Sequence, residues 1–182
     1  MMVDAFKAIV VIVLLVIGFM IYPAMRVADR TEELARQAAG SAVEEFVDTV
    51  RGKGYVAPID YNILLRRLDG TGMVFDVQLE HLKKTIQPVY NGSTFTNRFT
   101  IEYIGSFTLD ILDKVYPDPS STPIAEDDER RYYGMQAGDL FQVRVQSKGQ
   151  SLSSRLRNIM FRSGTDIPIM ITYGGMVRSE AP

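Results

Sequence analysis

The chain has no cysteine and no tryptophan, and His81 is its only histidine. A thiol nucleophile, a Cys-His zinc site and a disulfide framework are therefore excluded, and stability has to come from packing alone. A marked excess of either charge is missing too: 20 Lys and Arg stand against 22 Asp and Glu, for a net charge of -2 and no basic block. A nucleic-acid surface needs clustered cations to neutralise phosphates, so that class is set aside. Neither a G-x-S-x-G turn, a phosphate-binding glycine loop nor a pair of histidines occurs. His81 follows Glu80 on an alternating segment without any motif around it, so a structural or interface role is expected. No concave site is expected to gather His81 with acidic or hydroxyl partners. The chain is accordingly expected not to be an enzyme and to use no cofactor, metal or small-molecule substrate.

What the chain does have is a long hydrophobic run. Ala8 to Tyr22 carries no charged side chain, and eleven of its fifteen residues are Val, Ile, Leu or Phe. At roughly -0.3 to -0.6 kcal/mol each, these contribute about -3 to -6 kcal/mol to entering a bilayer. The uncharged stretch extends to Met25, which is about 27 Å of helix and close to a bilayer core. In lipid the backbone has no partner except itself, so the segment is predicted to be helical despite its Val and Ile content. Three readings compete: a cleaved signal peptide, a permanent anchor, and a rod that later packs against copies of itself. A signal peptide is removed from the mature chain, and retention is expected here. Arg26, Arg30 and Arg36 outnumber Lys7, a bias that places the C-terminal side in the cytoplasm. Large domains are exported regardless of it.

Pro23 lies inside the helical pattern, where its ring displaces the carbonyl of Phe19 and removes one hydrogen bond, so a kink or local unwinding is expected near Phe19 to Tyr22. From Arg26 to Arg51 the pattern becomes amphipathic. Val27, Leu34, Ala38, Ala42, Phe46 and Val50 recur at helical spacing, and Ala35, Ala38, Ala39, Gly40 and Ala42 make the middle of that face small. Gly52 and Gly54 are expected to end a helix about 69 Å long, of which half stands outside lipid.

A head of ordinary domain size follows, giving two regions: a helix over 1–53 and a head over 54–182. Tyr61, Leu64, Leu65 and Leu68 predict a short helix between Pro58 and Gly70. Alternation predicts strands around Phe75, Val77 and Leu79, around Phe99, Ile101 and Tyr103, around Phe141, Val143 and Val145, and around Ile169, Ile171 and Tyr173. Asn91-Gly92 reads as a turn, and Asn91-Gly92-Ser93 also matches the N-glycosylation pattern. Phe107 to Tyr116 is read as a short helix, Pro117 to Glu129 as an exposed loop, and Leu152, Leu156, Ile159 and Met160 as a last helix. The acidic run Glu126 to Glu129 is followed by two arginines and fits no calcium loop. The expected fold class is α+β, a long hydrophobic then amphipathic helix with a head of mostly antiparallel sheet and short helices. Phe75, Val77, Leu79, Phe99, Ile101, Phe141, Val143 and Val145 are expected to share one core with Phe46 and Val50.

With its apolar N-terminus, helix-interrupting Pro23, amphipathic continuation to Val50 and compact β-containing head, the chain resembles the type IV pilin-like superfamily. That superfamily is taken broadly, to include Tad-type pilins and pseudopilins of secretion and conjugation machines. Phe46 to Gly72 is also similar to pilin-like proteins of Gram-positive bacteria. The resemblance implies a subunit held in the inner membrane by its N-terminal helix, which then packs with other copies of itself in the core of an extracellular filament. Asp4, Lys7, Val10, Val13, Leu14, Ile17, Phe19 and Pro23 are the residues expected in that core. Family members usually carry Glu at the fifth mature position. Here Asp4 is the candidate to stand in, one place early, which leaves a processed N-terminus and a variant branch both open. The alternative function is a single-pass membrane-anchored component of a secretion or conjugation apparatus whose head binds a partner.

Overall fold

The computed structural model describes residues 2–117, 125, 127–149 and 168–181. Met1, most of the loop expected over Pro117 to Glu129, and the helix expected over Leu152 to Met160 lie outside them.

The fold is α+β, a long apolar helix followed by a head of antiparallel strands and short helices. Helix α1 (Met2–Val16) passes through a π-helical turn (Ile17–Ile21) into α2 (Tyr22–Lys53). The π-turn stands directly before Pro23, with the Tyr22 N–H donating five residues back to the Ile17 carbonyl. A ring at position 23 crowds the carbonyl four residues earlier, and one wider turn is a way for a helix to make that room. At the other end, Gly54 takes φ +80, and its N–H donates to Val50 O at 2.8 Å. A Cβ on Gly54 would lie 2.4 Å from Ser179 O, so both the left-handed backbone and the close approach require glycine. Gly52 lies within the helix and does not end it.

The head continues with β1 (Tyr55–Val56), α3 (Pro58–Asp69), β2 (Val74–Asn91), β3 (Thr94–Phe107) and α4 (Thr108–Val115). A short 3-10 turn (Glu129–Arg131) leads to β4 (Tyr133–Gly134), β5 (Leu140–Lys148) and β6 (Met170–Met176). The main sheet has the order β3-β2-β5-β6 and is antiparallel throughout, while β1 and β4 pair separately. Its inner face lies against α2, and the core joins Val43, Phe46, Val47 and Val50 to Leu64, Leu68, Leu79, Ile111, Phe141, Val143 and Val145. Arg51 Nε donates to Met176 O, and Arg178 N–H returns a bond to Arg51 O, each at 2.9 Å. The end of α2 is thereby strapped to the end of β6.

Three expectations need correction. The buried face of α2 is Ala35, Ala39, Ala42, Val43, Phe46, Val47 and Val50, whereas Val27 is 62% and Leu34 is 66% exposed and Ala38 is also exposed. The expected line is buried over its upper half, at Ala42, Phe46 and Val50, and only below that is the true face offset by one residue, to Ala35 and Ala39. It turns its small side chains toward the sheet, and higher up Gly175 of β6 leaves the room that the Arg51 side chain occupies. Second, the strand expected around Phe75, Val77 and Leu79 runs on well past that alternation to Asn91, with the two-residue loop at Gly92-Ser93 and Gly92 at φ +62. Third, Phe99 at 63% and Ile101 at 54% exposure are outside the core, and Phe75 and Val77 only flank it. The reason is length. Strand β5 covers β2 from Val74 to Leu82 only, so beyond Leu82 the β2–β3 hairpin stands out as a two-stranded arm.

Candidate functional site

Two places gather the residues singled out above: the apolar rod and the surroundings of His81. On the rod, helical spacing puts Val10, Val13, Leu14 and Ile17 on one side, and their exposures are 40%, 51%, 62% and 41%. Phe19, on the π-turn, is 79% exposed, and Asp4, Lys7 and Pro23 are exposed as well. Apart from the half-buried Ile21, the apolar stretch from Ala8 to Tyr22 therefore lies bare, on a helix long and apolar enough to cross a membrane. The head buries α2 only from Ala35 upward.

His81 departs from expectation, because it does gather acidic and hydroxyl partners beside a cleft. Its Nε2 lies 2.9 Å from Asp139 Oδ2 and its Nδ1 lies 2.9 Å from the Tyr133 hydroxyl, with His81 itself 4% exposed. An ionised carboxylate only accepts, so Nε2 carries the proton toward Asp139, and in the neutral ring Nδ1 accepts from Tyr133. Asp139 also accepts from two backbone N–H groups, of Lys84 and Gln136, each at 2.9 Å. Burial alone would raise the Asp139 pKa. The bonds from Gln136, Lys84 and His81 outweigh it and hold the carboxyl below its ordinary value. The Tyr133 phenol is pushed up by burial, and a hydrogen bond with the Ser106 side chain opposes that shift.

The chemistry open to this set is narrow. An Asp–His pair becomes catalytic when the free imidazole nitrogen can take a proton from a nucleophile or substrate. Here that nitrogen is engaged by a phenol whose ionisation burial disfavours. The result is a polar crosslink that ties β2 through His81 to β4 and to the turn before β5. The cleft beside it is lined by Lys83, Gln136 and Glu180 as well as His81 and Asp139. Sequence reasoning missed the set because its members are 52 and 58 residues apart. The local sign was the Gly138-Asp139 turn opening an alternating strand.

Among the described residues, no group of three or more His, Cys, Asp or Glu is placed to hold a metal ion. No protein-family model matches the chain, and no curated protein or solved structure matches it significantly.

Proposed function

We propose that this chain is a structural subunit of pilin-like type, held in a membrane by its N-terminal helix and then polymerised through that helix into an extracellular filament at a bacterial cell surface. One observation carries the reading. A single continuous helix is uncharged from Ala8 to Met25, exposed over nearly all of Val3 to Tyr22, and packed by its own head only from Ala35 onward. Each large apolar side chain moved from water into cover contributes roughly 1.5–3 kcal/mol. A bilayer supplies that cover before assembly, and outside lipid other copies of the same helix supply it. A repeated contact between different surfaces of identical subunits builds a filament when its rotation does not close into a ring. Asp4 and Lys7 then lie within the assembly against charged partners, since an uncompensated charge in an apolar bundle costs several kcal/mol.

Val13→Asp or Ile17→Asp tests this. Either substitution places a charge in the rod and is expected to abolish filaments, while a head beginning at Arg26 stays soluble and folded. Filaments that persist in both variants would remove the polymer reading. A native helix that contacts only lipid would favour the anchored, partner-binding component instead.

A further inference from the structure

In the arm, the polarity of the sheet is inverted. Within the head, odd-numbered residues of β2 face the core, with Leu79 1% and His81 4% exposed, and Asp76, Gln78 and Glu80 face away. Past Leu82 the alternation continues but its chemistry flips. Lys83, Thr85 and Gln87 now lie on the inner side, and Lys84, Ile86, Pro88 and Tyr90 lie on the outer. Directly paired residues share a face, so Ile101 opposite Ile86 and Phe99 opposite Pro88 join that outer side. Phe95 completes it, with its ring centroid 5.8 Å from Tyr90 and 5.5 Å from Phe99. Ile86, Tyr90, Phe99 and Ile101 are each more than half exposed. Lys84 is the one charge on a face otherwise made of large apolar groups.

A second bare surface lies on α2. Ala24, Val27, Thr31, Leu34, Ala38 and Ser41 follow one another at spacings of three and four, carry no charge, and are all exposed. Leu34 and Val27 stand out from a row of small neighbours. From Leu82 to Tyr90 the arm's face is roughly 26 Å long at about 3.3 Å per residue. The strip from Ala24 to Ser41 is likewise roughly 26 Å long at about 1.5 Å per residue.

Their placement matters as much as their size. Strand β6 runs beside α2 from the level of Glu32 and Arg36, where Ile169 and Met170 lie, up to Arg51, where Met176 lies. Strand β2 runs parallel to β6 because both are antiparallel to β5. The arm therefore leaves the head at the Arg51 end and points away from the rod. One chain thus carries a bulky apolar face at its far end and a small-residue apolar strip at its near end.

We propose that the arm of one copy seats its outer face on the Ala24–Ser41 strip of the next copy, a head-to-tail contact that holds the heads of the polymer in register. This rests on the self-assembly reading and names the second contact of that assembly. An arm-on-arm pairing would set large rings against large rings and leave the helix strip uncovered, whereas arm on strip fits large against small and covers both.

The absence of native cysteine makes the test direct. Full-length chains carrying Phe99→Cys and full-length chains carrying Leu34→Cys are mixed, assembled and mildly oxidised. A disulfide between the two variants is expected, and Thr100→Cys, on the opposite face of the arm, is expected to give none with Leu34→Cys. Ile86→Asp is expected to lower polymer yield by more than about tenfold while the head keeps its thermal transition. Polymers that form while Phe99→Cys stays uncoupled from Leu34→Cys would overturn the arm contact and leave self-assembly standing. Dominant Phe99→Cys homodimers, or burial of that position in phospholipid vesicles, would replace the proposed partner with a second arm or a lipid surface. If the unaltered chain forms no polymer, the contact and the assembly reading fall together.

Discussion

The lower and upper parts of the long helix both present β-branched and aromatic apolar side chains, and only on one face of the upper part are they buried. Val43, Val47 and Val50 are fully enclosed, whereas Val13 is 51% and Ile17 41% exposed. The same split runs along β2: Leu79 is 1% exposed and Ile86, seven residues on, is 61% exposed. Burial here is decided by what stands opposite, not by side-chain type. Where the chain supplies its own cover it makes a core, and where it does not the apolar surface is left for something outside the chain to bury.

The comparison can be broken first from the buried side. Phe141 is fully enclosed and its ring lies 6.2 Å from that of Phe46. Phe141→Ala removes a ring from the joint between α2 and the sheet and is expected to destabilise the head by about 3–5 kcal/mol, read from the denaturation midpoint. A change near zero would mean that this joint is not the core.

A smaller effect is expected at the crosslink around His81. Asp139→Asn keeps one acceptor oxygen but loses the carboxylate that serves three donors, so about 1–3 kcal/mol is expected at neutral pH. The carboxyl is held below its ordinary value in the folded chain. Its contribution is therefore fully present above the unfolded carboxylate pKa and is lost as pH falls through the lower folded value. The gap between native and Asp139→Asn stability should narrow over that acid range. A gap that stays constant on acidification would show that ionisation of Asp139 is not what holds the three segments.

The smallest effect belongs to the bare side. Phe99→Ser, at a position 63% exposed, is expected to change the stability of the isolated subunit by less than about 0.5 kcal/mol. A loss comparable to that of Phe141→Ala would mean that the arm folds back on the head and that the two regions do not differ as described.

Much of the fold was legible because its signals are local. The uncharged run to Met25, Pro58 and Gly70 around α3, and the alternation at Phe141, Val143 and Val145 each mark an element within a few residues. What was not legible depends on partners distant in sequence. Periodicity put Ala42, Phe46 and Val50 on the buried stripe of α2, but lower down it could not separate two adjacent stripes, and Val27 and Leu34 pointed to the outer one. Alternation at Phe99 and Ile101 looked the same as at Val143 and Val145, because a period of two reports a strand and not the side on which the core lies. The His81 set was hidden for the same reason, since Tyr133 and Asp139 come beside it only through the pairing of β2 with β5 and the approach of β4.

The central claim is that the bare rod is destined for cover by copies of itself. A nitroxide attached at Leu14→Cys in the full chain, recovered in surface material from expressing cells, measures that cover directly. The expected spectrum shows an immobilised label, spin–spin broadening between neighbouring copies, and little access for lipid-soluble oxygen. A mobile label, open to oxygen in lipid and without broadening, would contradict the account and leave the helix as a single membrane anchor.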